Sequence, residues 1–516
     1  MTFIKKSFRI ITVPIIGLFL LTLLSCSDSA HGPNQGEIPA DLNLVKMHQS
    51  RLQEIAGQNG NTRAAGTPGY DQSVQYVTDW LEAAGYSPVI QDFDITLFRE
   101  ASAPVFEQVA PHPDVYPRNV PEGFMTLSYS GSGNVTAMVQ PVDLIIPMDP
   151  GNPPSTSTSG CESADFAGFV PGNIALIQRG SCDFDIKAAN AQAAGAAGVI
   201  IMNEGQPDRT DAISSSLVRP DFHIPAVFAN YSLGVELFHS IQEGLTVRVH
   251  LKVDALLDNV KTYNIIADTP GGDDTRTVVV GAHLDSVPQG PGLNDNGSGA
   301  AAVLEVAYKM GLLHIEPKHK IRFAFWGAEE EGLLGSEYYV AHLAPEERAK
   351  ISLYLNFDMI ASSNYVRFVY DGDGSDTPAA GPPGSEQIEK LFTDYFAGAG
   401  LPTDPAAIDG LSDHGSFAAR NIPIGGIYTG AQEVKTEAMM QKYGGTAGMP
   451  CDPYYHTPDD TVANLNYTVE EQMLKAIAHA VYTYGNTPLN PPPRVSLAEK
   501  RGQTYQPTYR GPRAIR

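Results

Sequence analysis

With 516 residues and 42% hydrophobic content, the chain exceeds what one core usually fills and predicts two or three domains. Its formal net charge of -24, from 58 acidic against 34 basic side chains, excludes a basic nucleic-acid surface. The same surplus suits either a solvated acidic surface or a cationic ligand such as a free amine.

Residues 1–25 read as a targeting signal to be set aside before fold reasoning. Lys5, Lys6 and Arg9 precede an apolar run over residues 10–24, shorter than the about 20 residues of a membrane span. The run ends in "LLSC", which resembles the lipobox of bacterial lipoproteins, in which the cysteine is lipidated and becomes the mature N-terminus. A plain secretory signal or an uncleaved anchor remains the alternative. The expectation is a protein exported from a bacterial cell, lipid-anchored through Cys26 to the cell envelope or secreted, with 26–43 as a tether. Export permits disulfides. Cys161 and Cys182, in one segment, pair most simply, which leaves Cys451 as a free thiol.

Residues 44–125 begin the first domain, with apolar positions at helical spacing in "DQSVQYVTDWLEAAGY" and Gly85 suited to a C-cap. "VIQDFDI" then alternates like a strand. Residues 126–252 have their own rhythm of strand, small-residue helix and strand, and form a small α/β unit. Over 253–486, short apolar runs ("RTVVVGAHLDS", "IRFAFWGAEE", "ISLYLNFDMI", "IPIGGIYTG") alternate with helical segments, which predicts a mixed, largely parallel sheet sandwiched by helices. Residues 487–516, rich in Pro, Arg and Gln, predict a poorly ordered tail.

Polar residues collect after these strands, where open α/β sheets place ligand sites. His283 and Asp285, two apart at a strand end, leave one face, so the carboxylate can orient a metal-ligating imidazole. Asp295 in "GPGLNDNGSGA" reads either as a helix N-cap or as a ligand that the glycines bring back toward His283. In "FAFWGAEEEGLLGS", Glu329 and Glu330 can divide labour, one holding a metal and the other handling protons. Asp358 ends an apolar strand and His456 lies in the turn-rich "DPYYHTPDDT". Two histidines with three or four carboxylates suit zinc, and a bridging carboxylate can hold two ions. The acidic loop "DGDGSDTPAAGPPGSE" offers Asp371, Asp373 and Asp376 to calcium but lacks the spacing of an EF-hand, and reads better as a surface loop.

The order "HLDS", "GPGLNDNGSG", "WGAEEEGLLGS", "LNFDMI", "SDHGSF", "YHTPDDT" resembles the M28 family of zinc aminopeptidases, with 126–252 similar to an inserted protease-associated (PA) domain. The resemblance implies the zinc-dependent exopeptidase fold and two zinc ions: His283 and Asp358 on one, Glu330 and His456 on the other, Asp295 bridging. It implies Glu329 as general base, Asp285 as the partner of His283, and Tyr455 as donor to the oxyanion. The substrates would be peptides with a free N-terminus, cleaved after an apolar first residue. A carboxypeptidase-like hydrolase and a non-catalytic receptor or scaffold of the same fold are the alternatives. Two departures stand out: Leu411 replaces an arginine that precedes "SDH" in close relatives, and Tyr454 and Asp459 stand where relatives carry a disulfide. These departures imply altered recognition of the substrate terminus and a looser loop around His456. The PA-like unit, inserted between the first helices and the catalytic sheet, is expected to act as a lid or to control substrate access.

Overall fold

The computed structural model describes residues 37–489 except 148–155, 207–208, 214 and 218–221. The signal segment, Cys26 and almost all of the tail lie outside the described residues, among which no helix is long and apolar enough to cross a membrane. The helical spacing near the N-terminus resolves into α1 (Leu42–Gln58) and α2 (Pro68–Ala83). Asp41 and Thr67 cap their first turns, and Gly85 follows α2 at φ +88°, where glycine carries no Cβ penalty.

The strand expected at "VIQDFDI" is far longer. It is β1 (Val89–Ala110), which pairs antiparallel with β8 (Arg248–Asp268) along nearly its whole length, from Val89 opposite Ile266 to Ala110 opposite Arg248. Between them the chain forms β2 (Asp114–Val115), β3 (Phe124–Thr126), β4 (Gly133–Val142), β5 (Ile174–Gln178), α3 (Phe184–Ala193), β6 (Gly198–Met202), β7 (Ala226–Ala229) and α4 (Tyr231–Gln242). Strands β4 to β7 run parallel in sequence order, and β4 also pairs antiparallel with β8. The Cys161–Cys182 disulfide lies here, and Cys451 is free and buried, as the sequence leads one to expect.

Beyond β8 come β9 (Asp273–His283), α5 (Gly297–Leu312), β10 (His319–Trp326), α6 (Leu334–His342), α7 (Pro345–Arg348), β11 (Ile351–Phe357), β12 (Phe368–Tyr370), α8 (Ser385–Gly398), β13 (Asp404–Ala406), α9 (His414–Ala418), β14 (Ile424–Tyr428), α10 (Glu437–Tyr443) and α11 (Tyr467–Asn486). The strand order β13-β12-β14-β11-β9-β10-β8 is parallel through β14, β11, β9 and β10 and again at β13/β12, and the pairs β12/β14 and β10/β8 are antiparallel. Helices α1, α2, α5, α8 and α11 pack on one face; α6 and α9 pack on the other. Helix α5 is alanine-rich because it is buried on all sides, between the sheet and α1, α2 and α11.

The α1/α11 contact contains a titratable pair. Gln49 donates to the buried Glu470, whose carboxyl burial pushes up from the ordinary 4.5 to about 8. A raised carboxyl favours the folded state while it keeps its proton there; that contribution is complete below pH 4.5 and lost as pH rises through about 8. Glu470→Gln is therefore expected to melt above the parent at pH 9 and level with it near pH 4.5, read by thermal unfolding at both pH values.

The acidic loop after β12 is ordered by its own carboxylates. Asp371 accepts the N–H groups of Gly374, Ser375, Asp376 and Thr377, and Glu389 accepts those of Gly372 and Asp373. Glu389, not Asp376, joins Asp371 and Asp373 in the only cluster these acids form among the described residues. Capping of backbone donors accounts for Asp371 and Asp373 among the residues offered to calcium.

Candidate metal centre

Three strand ends, one helix start and one loop deliver the site. His283 is the last residue of β9, Asp295 directly precedes α5, Glu329 and Glu330 follow β10, and Asp358 follows β11. His456 arrives from the loop between α10 and α11. Asn296, not Asp295, caps α5, since its side chain accepts the Gly299 N–H; the Asp295 carboxylate is thus released for the cleft. Gly292 has the task expected of the loop glycines: at φ +62°, a Cβ there would lie 2.2 Å from the Asp295 carbonyl oxygen. Ala328, Met359 and His456 also hold left-handed backbone (φ +56°, +55°, +58°), a strained geometry that concentrates at functional sites.

The side chains converge in two groups that share one residue. His283 Nε2 lies 3.1 Å from Asp295 Oδ1 and 3.2 Å from Asp358 Oδ1. His456 Nε2 lies 3.0 Å from Asp295 Oδ2 and 3.1 Å from Glu330 Oε2. All are buried except Asp358 and His456, which are partly so. Glu330 Oε1 and His456 Nε2 are buried without a hydrogen bond of ordinary geometry, and such orphaned donor atoms among carboxylates fit divalent cations held by mixed N/O ligands. Glu329 stands slightly back, with Oε2 3.9 Å from His283 Nε2.

The electrostatics agree with that fit. Burial alone would lower the His283 imidazole, but the Asp358, Glu329, Asp285 and Asp295 carboxylates drive it well up. Burial likewise opposes the rise of His456, which Glu330 and Asp295 carry to about 10. Burial, against the pull of His456, pushes Glu330 up to about 7. The cluster is an excess of buried negative charge that needs cations.

Asp285 supports His283 as expected, and Arg63 and Asp460 add two supports that the sequence did not announce. Asp285 lies 3.5 Å from His283 Nδ1, and its two oxygens also accept the Glu329 and Glu330 N–H groups at 3.2 and 3.3 Å. One carboxylate therefore ties the histidine to the glutamate turn. Arg63, from the α1–α2 turn, is fully buried and donates to the carbonyls of Leu284, Pro291 and Gly292, pinning the glycine loop. Asp460 accepts the Asn294 and Asp295 N–H groups at 2.6 and 3.0 Å.

Asp358 ends a chain of donors: Trp326 Nε1–H to Tyr354 OH, Tyr354 OH to Asn356 Oδ1, Asn356 Nδ2–H to Ser412 Oγ, and Ser412 OH to Asp358 Oδ2. Each link aligns the next, and the last fixes which Asp358 oxygen faces His283. Ser412→Ala is expected to weaken metal binding at this position about tenfold to a hundredfold, read by competition with a chelating dye. An unchanged affinity would show the chain to be incidental.

The cleft over the cluster is lined on one side by Asp295, Glu329, Glu330 and Asp358, and elsewhere by Met359, Tyr370, Asp409, Leu411, Tyr428, Glu433 and Tyr455. Tyr455 stacks on His456 with ring centroids 3.7 Å apart. Leu411 is half exposed at this rim. The lining residues all come from 295–455, and none of the described residues of the PA-like segment is among them. The loop around His456 is held without the disulfide of relatives: Asp452 accepts from Asn294 Nδ2 and from the Tyr454 N–H, and the Thr457 hydroxyl donates to the Tyr454 carbonyl.

The chain matches the family model for peptidase family M28 over residues 264–481 and that for the PA domain over 143–237. It is 47% identical to an aminopeptidase of Pseudomonas aeruginosa over 438 residues, 84% of this chain and 79% of that one. It is 41% identical to a probable leucine aminopeptidase 2 of Aspergillus fumigatus over 388 residues, covering 75% and 74% of the two chains. Among solved structures, an aminopeptidase from Aneurinibacillus sp. strain AM-1 aligns over 88% of this chain and 96% of its own at 26% identity, with a TM-score of 0.69. A zinc aminopeptidase from Bacillus subtilis aligns over 88% and 97% at 25% identity, with a TM-score of 0.59.

Proposed function

The chain belongs to peptidase family M28 with a PA domain inserted in it, and from this premise we propose a two-zinc mechanism for an aminopeptidase that takes peptides with a free N-terminus. The observation that carries the ion count is Asp295, whose Oδ1 lies against His283, itself beside Asp358, while its Oδ2 lies against His456, itself beside Glu330. One zinc would be held by His283 and Asp358, the other by Glu330 and His456, with Asp295 between them.

Zinc, when bound, polarises the scissile carbonyl and makes water a competent nucleophile near neutral pH. Glu329 then takes the proton of the attacking water and delivers it to the leaving nitrogen. Burial, with Glu330, Asp413 and Asp358 nearby, drives its carboxyl well up against the pull of His283. Asp285, through the Glu329 and Glu330 N–H groups, keeps base and ligand in register. Tyr455, which lines the cleft, would donate to the developing oxyanion. The substrate's first side chain lies on the apolar wall of Met359, Tyr370 and Tyr428.

A carboxypeptidase would present arginine or lysine to the substrate's carboxylate, and none lines this cleft. A receptor of the same fold would have no need of the full ligand set. Export to an oxidising compartment, with a lipid on Cys26, also belongs to this reading and draws support from the Cys161–Cys182 disulfide.

The test is zinc-loaded protein assayed on leucyl p-nitroanilide and on its N-acetylated counterpart. Hydrolysis of the free compound alone is expected. Cleavage of the blocked compound at a similar rate would overturn the aminopeptidase reading.

A further inference from the structure

The wall of the cleft does not stay apolar. It begins at Met359, next to the ligand Asp358, and continues over the rings of Tyr370 and Tyr428, which stack at 5.7 Å between centroids and 14° between planes. It then meets two carboxylates, Asp409 and Glu433. Glu433 is held in place although exposed, since Oε1 accepts the Tyr428 hydroxyl at 2.7 Å and Oε2 the Ala431 N–H at 2.5 Å. Asp409 accepts the Leu411 N–H at 3.0 Å. Burial, the larger cause, and the charge of Glu433 together push the Asp409 carboxyl up to about 6, so the two acids share one local field.

Among the described residues no lysine or arginine pairs with either acid. The nearest cationic candidate, His414, lies 3.9 Å from Asp409, but burial depresses it to about 3 and its Nε2 accepts the Gly410 N–H. The same cleft receives the Glu330 carboxylate, whose buried Oε1 has no hydrogen-bond partner. One cleft thus joins the proposed metal ligands Glu330 and Asp358 to the carboxylates of Asp409 and Glu433.

We propose that the pocket for the substrate's first side chain selects lysine and arginine, with the aliphatic stem on Met359, Tyr370 and Tyr428 and the cationic head between Asp409 and Glu433. The proposal rests on reading the cleft as an aminopeptidase active site. The physical case is complementarity on both counts. A long basic side chain buries its methylenes against apolar and aromatic surface while its head remains charged. Two carboxylates held by hydrogen bonds from Tyr428, Ala431 and Leu411 gain a counter-ion that leucine cannot bring. The chain's net charge of -24 draws such substrates from solution.

The experiment compares kcat/KM for lysyl, arginyl, norleucyl and leucyl p-nitroanilides, using the zinc-loaded full chain and the Asp409→Asn, Glu433→Gln and double variants. Norleucine matches the lysine stem without its charge. The parent is expected to favour lysyl over norleucyl by about tenfold or more, and the double variant to lose at least about tenfold of that ratio, as a charged hydrogen bond is worth. A parent preferring norleucine, or variants that lose lysyl and norleucyl hydrolysis equally, would overturn the proposal. Equal loss would assign the acids to the substrate's α-amine instead. Competition in the parent alone, L-lysine against L-norleucine as inhibitors, decides the same question if a variant misfolds: tighter lysine supports the pocket, and tighter norleucine refutes it. If leucyl and norleucyl substrates are cleaved while lysine is not preferred, only the specificity claim falls. If no aminoacyl substrate is cleaved, the aminopeptidase reading falls with it.

Discussion

Glu329→Ala is expected to retain its full zinc complement and to lose about two to four orders of magnitude in kcat, the usual worth of a positioned general base. The geometry requires both halves of that result. Glu329 faces the cleft beside Glu330, but its Oε2 stands 3.9 Å from His283 Nε2, whereas the Asp295 and Asp358 oxygens lie at 3.1 and 3.2 Å. His283, Glu329 and Glu330 do come close enough together to form a third metal-sized group. If Glu329 were a ligand in that group, the alanine variant would lose zinc as well as turnover. Metal analysis beside kinetics separates the two roles, and Glu329→Gln, which keeps the shape and removes the proton acceptor, should match alanine in kcat.

Asp295→Ala is expected to have the larger effect on the metal, because it alone touches both groups. Its two oxygens lie 3.1 Å from His283 and 3.0 Å from His456. Losing them should drop zinc from about two ions per chain to less than one and abolish measurable hydrolysis. Asp358→Ala, which faces only His283, should release one ion and leave the other. The same contrast reaches stability. Chelation should lower the melting temperature of the parent, since bound metal stabilises the folded state by mass action, and should leave Asp295→Ala nearly unmoved. An Asp295→Ala protein that still holds two ions would show that the shared carboxylate is not the bridge.

Much of this site was legible because open α/β sheets put chemistry after their strands, and each relevant strand announces itself as an apolar run. His283, Glu329, Glu330 and Asp358 each follow such a run within four residues. His456 was legible only through the order of motifs, since it lies in a loop with no periodicity. Arg63 carries no local signal: it stands in a turn more than 220 residues from the carbonyls it holds, and a lone buried arginine looks like any surface arginine in sequence. Ser412 is equally silent, because its role is fixed by Asn356 and Asp358 on another strand. Ladder length escaped for a related reason. Past "VIQDFDI" the alternation in β1 breaks at irregularities around Ser102, yet pairing with β8 carries the strand on to Ala110. The pocket acids Asp409 and Glu433 lie 24 positions apart on separate loops, and only folding brings them to one cleft.

The most direct test of the two-ion account is anomalous diffraction from crystals of the zinc-loaded protein, recorded above and below the zinc absorption edge. Two peaks are expected, one between Asp295 Oδ1, His283 and Asp358, the other between Asp295 Oδ2, His456 and Glu330. A single peak, or a peak ligated by Glu329 in place of Glu330, would contradict it.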